Sequence, residues 1–526
     1  MPTSPRPRRV EPRPLAGLRS LLPGSRLLAG PGQGAALPVL TGVTHDSRAV
    51  RPGDLYLARP GERAHGAAFS REAVAAGAVA VLTDDDGAGP ATAAGVPVVV
   101  VADPRVVAGP VAAWVHGNPA DGLLVLGVTG TNGKTTTTYL IEAGLRAAGH
   151  VTGLIGTVET RIAGSALPSV RTTPEATDLQ ALFAVMRERG VTAVAMEVSS
   201  HALALSRVDG TRFAVSAFTN LSQDHLDFHA DLEDYYAAKA RLFTPALTRT
   251  GVADVDDPYG ARLAAEASVP MATVAAGRPA DWAICDVALA ATGSRFSLTG
   301  PDGAARPVAV NLPGRFNVDN AAVAAATLAV AGVPVEDAVR GLGALDGVPG
   351  RMQRVDKGQP YMALVDYAHT PEAVGTLLAA LRPVTGGRLV VVLGCGGDRD
   401  QGKRPLMGAA AALGADIAVL TSDNPRSEDP AAILQAILAG AVGVPVAERA
   451  EVLVEPDRRR AIEGAVALAR AGDTVVVAGK GHETGQEAAG RTVPFDDRAV
   501  LAEAIDGLAA SRDAAGTASG APGSAP

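Results

Sequence analysis

The sequence predicts an α/β protein of three domains built on mostly parallel sheets, and three observations carry that prediction. Its 526 residues would fill three or four domains of ordinary size. Hydrophobic residues make up 47% against 19% charged, enough apolar material for several cores and too much for a disordered chain. Along the chain, short apolar runs alternate with amphipathic segments of helix length, the pattern of strand–helix–strand units. Glycine (60) and proline (37) punctuate that pattern without a collagen-like period, and no repeat of solenoid length is visible.

Residues 1–24, with Arg6, Arg8, Arg9 and Arg13 among prolines, read as a disordered tail. No apolar core follows them, so a secretory signal is not expected. A first domain over 25–118 holds strand-like runs at 55–58, 78–82 and 96–101. A second, 119–348, opens on the run 123–128. The third, 349–510, carries runs at 362–365, 388–393, 417–420 and 474–478. Residues 511–526 are low in complexity and read as another disordered tail. The longest uncharged apolar stretches, 95–102 and 321–335, fall short of the ~20 residues that cross a bilayer, so a soluble cytoplasmic protein without membrane insertion is expected. Cys285 and Cys395 are too few for a disulfide framework or a Cys-rich zinc site. A net charge of −8 with no basic domain argues against DNA, and 3% aromatic residues leave few platforms for single-stranded nucleic acid. No nucleic-acid partner is expected.

The run 123–128 leads into Thr129-Gly130-Thr131-Asn132-Gly133-Lys134-Thr135-Thr136, then a helix to about Ala148 that Gly149 closes. Strand, glycine loop, Lys-Thr and helix are what phosphate binding needs. Glycines let backbone N–H groups turn inward, and the helix N-terminus adds partial positive charge. Lys134 can reach the β- and γ-phosphates, and the Thr135 hydroxyl can ligate Mg²⁺. Val128 stands where the strict pattern has another glycine, but the context favours a nucleotide over an empty turn. Glu197 ends the apolar run 192–196, the place for an acidic Mg²⁺ ligand or for a solvated strand-end carboxylate. His225 and His229 are four apart without a third ligand at zinc spacing. Ser200 and His201, as neighbours on a strand, would face opposite sides and make no hydrolase triad.

Further stretches carry a resemblance. They are HDSR (45–48), TTPE (172–175), MEVSSHAL (196–203), FTNLSQDHLDFH (218–229), GRFNVDN (314–320), VDYAHTPE (365–372), GCGGDRDQGKRP (394–405), SDNPRSEDP (422–430) and AGKGHE (478–483). With TGTNGKT (129–135) they resemble the Mur ligases, ATP-dependent amide-forming enzymes of peptidoglycan synthesis related to folylpolyglutamate synthases. Within that family they are most similar to the branch that extends UDP-MurNAc-L-Ala-D-Glu with a diamino acid. The stretches keep one order over residues 40–500 or so.

The resemblance implies a UDP-recognition domain, a central ATPase domain and a C-terminal Rossmann-like amino-acid domain; substrates meeting at their junction suggest the hypothesis of domain closure, and a monomer is expected. It implies phosphorylation of the D-Glu γ-carboxylate by ATP and attack of an amine on the acyl phosphate, with no side-chain nucleophile. By resemblance, Gly130, Thr131, Asn132, Gly133, Lys134, Thr135 and Thr136 hold ATP with Asn317, Asn320, Asp366 and His369. Thr135, Glu197, His225 and Lys239 (as a CO₂-derived carbamate) would hold Mg²⁺, and Lys134, His225 and Lys239 would serve catalysis; His229 reads as structural. Ser47 falls near the uridine, and Thr172, Thr173, Ser199 and Arg207 fall along the muramoyl-dipeptide. Arg171 and Leu205 depart from the Asn and Gln that relatives often carry there. Diaminopimelate is expected on Arg399, Asp423, Asn424, Pro425, Arg426, Gly479 and Glu483. Arg426 would read the carboxylate that lysine lacks, since lysine-adding relatives carry another residue at that position; the alternative is an ion pair with Glu428 or Asp429. A lysine-adding enzyme, a folate–glutamate ligase and a nucleotide switch remain open at this point, although HDSR and DNPR have no role in the folate enzyme.

Overall fold

The computed structural model describes residues 5–28, 37–61 and 63–518. Continuous β-branched runs suit strands covered on both faces, and here they form the middles of three sheets. The first domain has five strands in the order Arg26–Leu28, Val98–Val100, Ala80–Thr83, Asp54–Leu57, Gly42–Thr44, parallel except for the first pair. The arginine- and proline-rich start is not a tail where the structure describes it. Arg13–Pro14 pairs with Val39–Leu40, Arg6 forms an ion pair with Asp54, and Leu15 and Leu18 are each 1% exposed in the first core. Two leucines three apart lie on one face of a helical turn, and that short apolar signal is hidden among the prolines. At the other end, the helix Asp497–Ala518 runs into the second expected tail. Residues 1–4 and 519–526 of those tails lie outside the described residues.

The central sheet has eleven strands. Its parallel middle runs Thr152–Ile155, Ala193–Glu197, Leu124–Thr129, Phe213–Phe218, Thr248–Asp254, Met271–Ala275, Trp282–Ala290, with antiparallel pairs beyond it at both edges. Helices Lys134–Ala147, Arg315–Val330 and Val335–Gly343 cover one face, and Ala176–Glu188, Leu232–Ala240 and Pro258–Glu266 the other. Ala321, Ala322, Ala324, Ala325 and Ala326 are all fully buried, and their small side chains let the helix lie close to its neighbours. Thr135 to Thr138 form a poor helical run by propensity, yet all four are buried in a helix, because tertiary packing outweighs a few tenths of a kcal/mol per residue.

The third sheet runs Gln353–Arg354, Met362–Asp366, Thr474–Ala478, Leu389–Leu393, Ile417–Leu420, Glu451–Val454, parallel after its first pair. Behind the carboxyl ends of its strands sits Arg458, whose side chain is fully buried. It donates to Asp497 Oδ1 (2.8 Å) and Oδ2 (2.6 Å), to Ala478 O (3.0 Å) and to Ser422 O (3.3 Å). Arg458→Ala strands the Asp497 carboxylate away from water, and a loss of about 3–5 kcal/mol in urea unfolding is expected. A loss below about 1 kcal/mol would contradict this role.

The two domain joints differ in kind. Helix Pro104–Val115 of the first domain packs on Ala176–Glu188 of the second, and Ala176 belongs to the first domain's own core. There the backbones touch: a Cβ on Gly109 would lie 1.7 Å from Asp209 O, and one on Gly210 2.6 Å from Gly109 C. The C-terminal domain meets the central one through side chains, with Phe316 against the third core and Arg351 reaching Thr135.

Candidate active site

A cavity of about 400 Å³ opens where the central sheet's carboxyl ends face the C-terminal domain. The phosphate loop forms one wall. Gly133 has φ +84°, and a Cβ there would meet Asn320 Oδ1 at 2.2 Å, so only glycine lets the helix Arg315–Val330 come this close. Asn317 and Asn320, in the first two turns of that helix, line the cavity; Asn320 Oδ1 accepts from Thr137 Oγ1 at 3.3 Å. Val128, in place of the usual glycine, is buried inside the strand Leu124–Thr129.

Lys134 Nζ donates to Gly130 O (2.9 Å) and Thr131 O (2.8 Å). Burial lowers its pKa, while Glu197 and Asp224 oppose that fall. Thr135 Oγ1 donates to Glu197 Oε2 at 3.1 Å, and Glu197 also takes bonds from Thr157 N (2.8 Å) and Thr157 Oγ1 (3.1 Å). Lys239 is 1% exposed; its Nζ donates to Gly130 O at 2.7 Å and lies 4.3 Å from the Tyr235 ring centroid. Burial, with Lys134 beside it, pushes its pKa well down. His225 sits at φ +55°, and burial holds its imidazole at about 4, so the ring is neutral as a metal ligand must be. From the C-terminal domain come Asp366, whose carboxylate accepts from Met352 N (2.7 Å) and Ala368 N (2.8 Å), and His369, bonded to Tyr367 O. Burial raises the first pKa and lowers the second.

Among the described residues, no group of three or more His, Cys, Asp or Glu side chains forms a metal cage. The Thr135–Glu197 pair still fits Mg²⁺, which keeps several waters and takes one or two carboxylates together with phosphate oxygens. Glu197, His225 and Lys239 line the same cavity as Thr135.

Thr172 and Thr173 arrive beside the same strand end. Thr173 Oγ1 donates to Glu197 O at 2.9 Å and accepts from Ser199 N at 3.1 Å, and Thr172 and Thr157 hydroxyls lie 3.0 Å apart. Ser199 caps the short helix Ser200–Ala204, accepting from Ala202 N. Ser200 and His201 are therefore helical, which corrects the strand assumed for them, and His201 stacks on Phe228 at 4.1 Å. His229 is buried with its Nδ1 3.2 Å from Asp234. Ser47 and Arg207 do not line this cavity. Ser47 is buried in the turn Ser47–Ala49, and Arg207 is paired at 3.0 Å with Glu175, which also takes Arg59 at 3.0 Å. These lie at the joint of the first and central domains, where Leu205 also sits; Arg171 is exposed, 3.7 Å from Glu175.

The third cluster lies on two loops of the C-terminal sheet, after Ile417–Leu420 and Thr474–Ala478. A Cβ on Gly479 would lie 2.6 Å from Asp423 Oδ2, so the loops touch. Asn424 Nδ2 donates to Glu483 Oε2 at 2.8 Å. Pro425 precedes Arg426, which sits at φ +53° with its guanidinium on Gly397 O (2.6 Å) and 3.6 Å from Glu487. Glu428 is taken by Arg404 through two bonds, so it is not the partner of Arg426. Arg399 is exposed and bonds only to Asp398 O among the described residues, so the structure does not bring it onto the other members of this set. A hairpin of Gly485–Ala488 and Arg491–Pro494 covers the loop, with Arg426 N on Glu487 O and Gln486 Nε2 on Asp423 O. Sequence reasoning missed that hairpin, along with Arg351, Thr157 and Lys480. Only Lys480 had a signal, its place inside AGKGHE.

A phosphate loop with a carboxylate at its mouth, in a cavity that the central and C-terminal domains line together, is the arrangement of a nucleotide-dependent enzyme of three domains. Comparison with known proteins agrees. The family described as "Mur ligase family, catalytic domain" matches residues 39–115, "Mur ligase middle domain" 128–328, and "Mur ligase, glutamate ligase domain" 350–481. The chain is 57% identical over 506 residues to a UDP-N-acetylmuramoyl-L-alanyl-D-glutamate–2,6-diaminopimelate ligase of Streptomyces coelicolor, covering 96% of this chain and 98% of the relative. The protein of the same name from Corynebacterium glutamicum is 49% identical over 469 residues, 88% and 90% of the two chains. A solved structure bearing that enzyme's name superposes with TM-score 0.64 at 33% identity, covering 89% of this chain and 95% of that one. The chain belongs to the Mur ligase family.

Proposed function

We propose that the protein joins diaminopimelate to the D-Glu γ-carboxylate of UDP-MurNAc-L-Ala-D-Glu, driven by ATP with Mg²⁺, and that it works as a cytoplasmic monomer. Among the described residues, no helix is long and apolar enough to cross a membrane. One observation carries the reading: Glu197 bonds through its carboxylate to Thr135 of the phosphate loop and through its carbonyl to Thr173. The place for the terminal phosphate and the place for the acid thus share one strand end. A carboxylate oxygen held by Thr172, Thr173 and Ser199 would attack the γ-phosphorus, breaking its bond to ADP. The amine then attacks the acyl carbon, phosphate leaves, and the amine nitrogen sheds its proton. Lys134 and Arg351 stabilise the charge on the transferring phosphoryl group. Thr135, Glu197 and His225 would hold Mg²⁺, which when bound neutralises charge between triphosphate and carboxylate.

Lys239 fits the expected carbamate. Its lowered pKa favours the neutral amine, the form that adds to CO₂, and Lys134, which repels an ammonium there, would attract the anionic product. Lys239→Ala is expected to lower kcat by about 10²-fold or more, with partial recovery in formate or acetate. Wild-type protein in ¹³C-bicarbonate should show a carbamate carbon resonance that the variant lacks. An active wild type without that resonance would rule the modification out.

The function itself is tested by ADP release with ATP, UDP-MurNAc-L-Ala-D-Glu and diaminopimelate, each omitted in turn. Release only with all three is expected. Sustained hydrolysis without acid or amine would instead mark a nucleotide switch.

A further inference from the structure

Lys480 stands out from the rest of the amino-acid cluster because its side chain is 0% exposed. Its Nζ donates to Asn424 Oδ1 at 2.9 Å and lies 3.3 Å from Glu483 Oε2. An amide can sit either way round, and its partners decide which edge donates. An ammonium has only donors, so Lys480 turns Asn424 Oδ1 toward itself, and Glu487 N donates to the same oxygen at 3.0 Å. Asn424 Nδ2 is thereby turned onto Glu483 Oε2 at 2.8 Å. Both bonds to the Glu483 carboxylate fall on Oε2, which leaves Oε1, on a side chain 32% exposed, as the oxygen for an incoming cation.

We infer that Lys480 is a positioning residue for the amino-acid substrate: it fixes the Asn424 amide and the Glu483 carboxylate so that the pocket presents one oriented acceptor to the substrate ammonium. This rests on the proposed function, because it assigns Glu483 to the amino acid. Removing Lys480 leaves the Asn424 oxygen on Glu487 N alone and Glu483 on Asn424 Nδ2 alone, so both side chains are held less firmly, while the phosphate loop is untouched. The cost therefore falls on one substrate.

The test compares K480M, E483Q and the double variant by initial rates of ADP release, with K480Q as a second neutral variant should K480M fail to fold. K480M is expected to raise KM for diaminopimelate about tenfold or more, with KM for ATP and for the UDP-substrate within about twofold. If Lys480 acts through Glu483, the double variant should be little worse than E483Q alone. An unchanged KM for diaminopimelate would overturn the inference. So would a rise in all three KM values with independent, multiplying effects, which would mark Lys480 as a general stabiliser. A wild type that released no ADP with diaminopimelate would instead refute the proposed function, a result readable before any variant is made.

Discussion

Arg426→Ala is expected to raise KM for diaminopimelate steeply while KM for ATP barely moves. The residue occupies a left-handed backbone conformation, rare for a side chain other than glycine, and the hairpin holds it there through Arg426 N on Glu487 O and Ala489 N on Arg426 O. The guanidinium has one short bond, to Gly397 O, and a looser contact with Glu487, so most of its donors remain for a ligand. Diaminopimelate differs from lysine by one carboxylate, which suits a bidentate pair. Lysine would leave that guanidinium desolvated and unmatched, and discrimination of about 10⁴-fold against it is expected in kcat/KM. Wild-type use of L-lysine alongside diaminopimelate, or a variant that kept its preference, would defeat the substrate assignment.

Lys134→Ala should abolish amide formation, with kcat reduced about 10²–10³-fold or more and the fold retained. Its ammonium rests on two loop carbonyls, Gly130 O and Thr131 O. Burial makes an isolated cation there costly, and Glu197 and Asp224 offset part of that cost. Turnover near the wild-type rate in the variant would remove the phosphate loop from the mechanism.

Much of this was legible in the sequence because it was local. The strands Ile417–Leu420 and Thr474–Ala478 have the bounds that the apolar runs mark, and the helix Lys134–Ala147 is closed just beyond its end by Gly149, which takes φ +86°. Fully buried parallel strands read as continuous apolar runs, so composition alone finds them. The first 24 residues misled, since proline and arginine dominate the composition while Leu15 and Leu18 do the packing. Arg351 and Thr157 were invisible for another reason. Each acts on a residue far away in sequence, Thr135 or Glu197, and no short motif encodes a contact of that range. The hairpin over Arg426 has the same character.

The backbone contact of Gly109 with Asp209 and Gly210 bears on how the molecule moves. Main chain meets main chain there, so side-chain rearrangement cannot absorb a shift at that joint, and the first two domains are expected to move together. A UDP-substrate laid across that pair would have its acid end placed before the C-terminal domain closed. Arg351, Asp366 and the amino-acid loops all belong to the C-terminal domain, so a closure of that domain would bring the incoming amine and the groups that complete the phosphate site together. Such a closure would tie activation of the acid to the arrival of the nucleophile and shorten the exposure of the acyl phosphate to water.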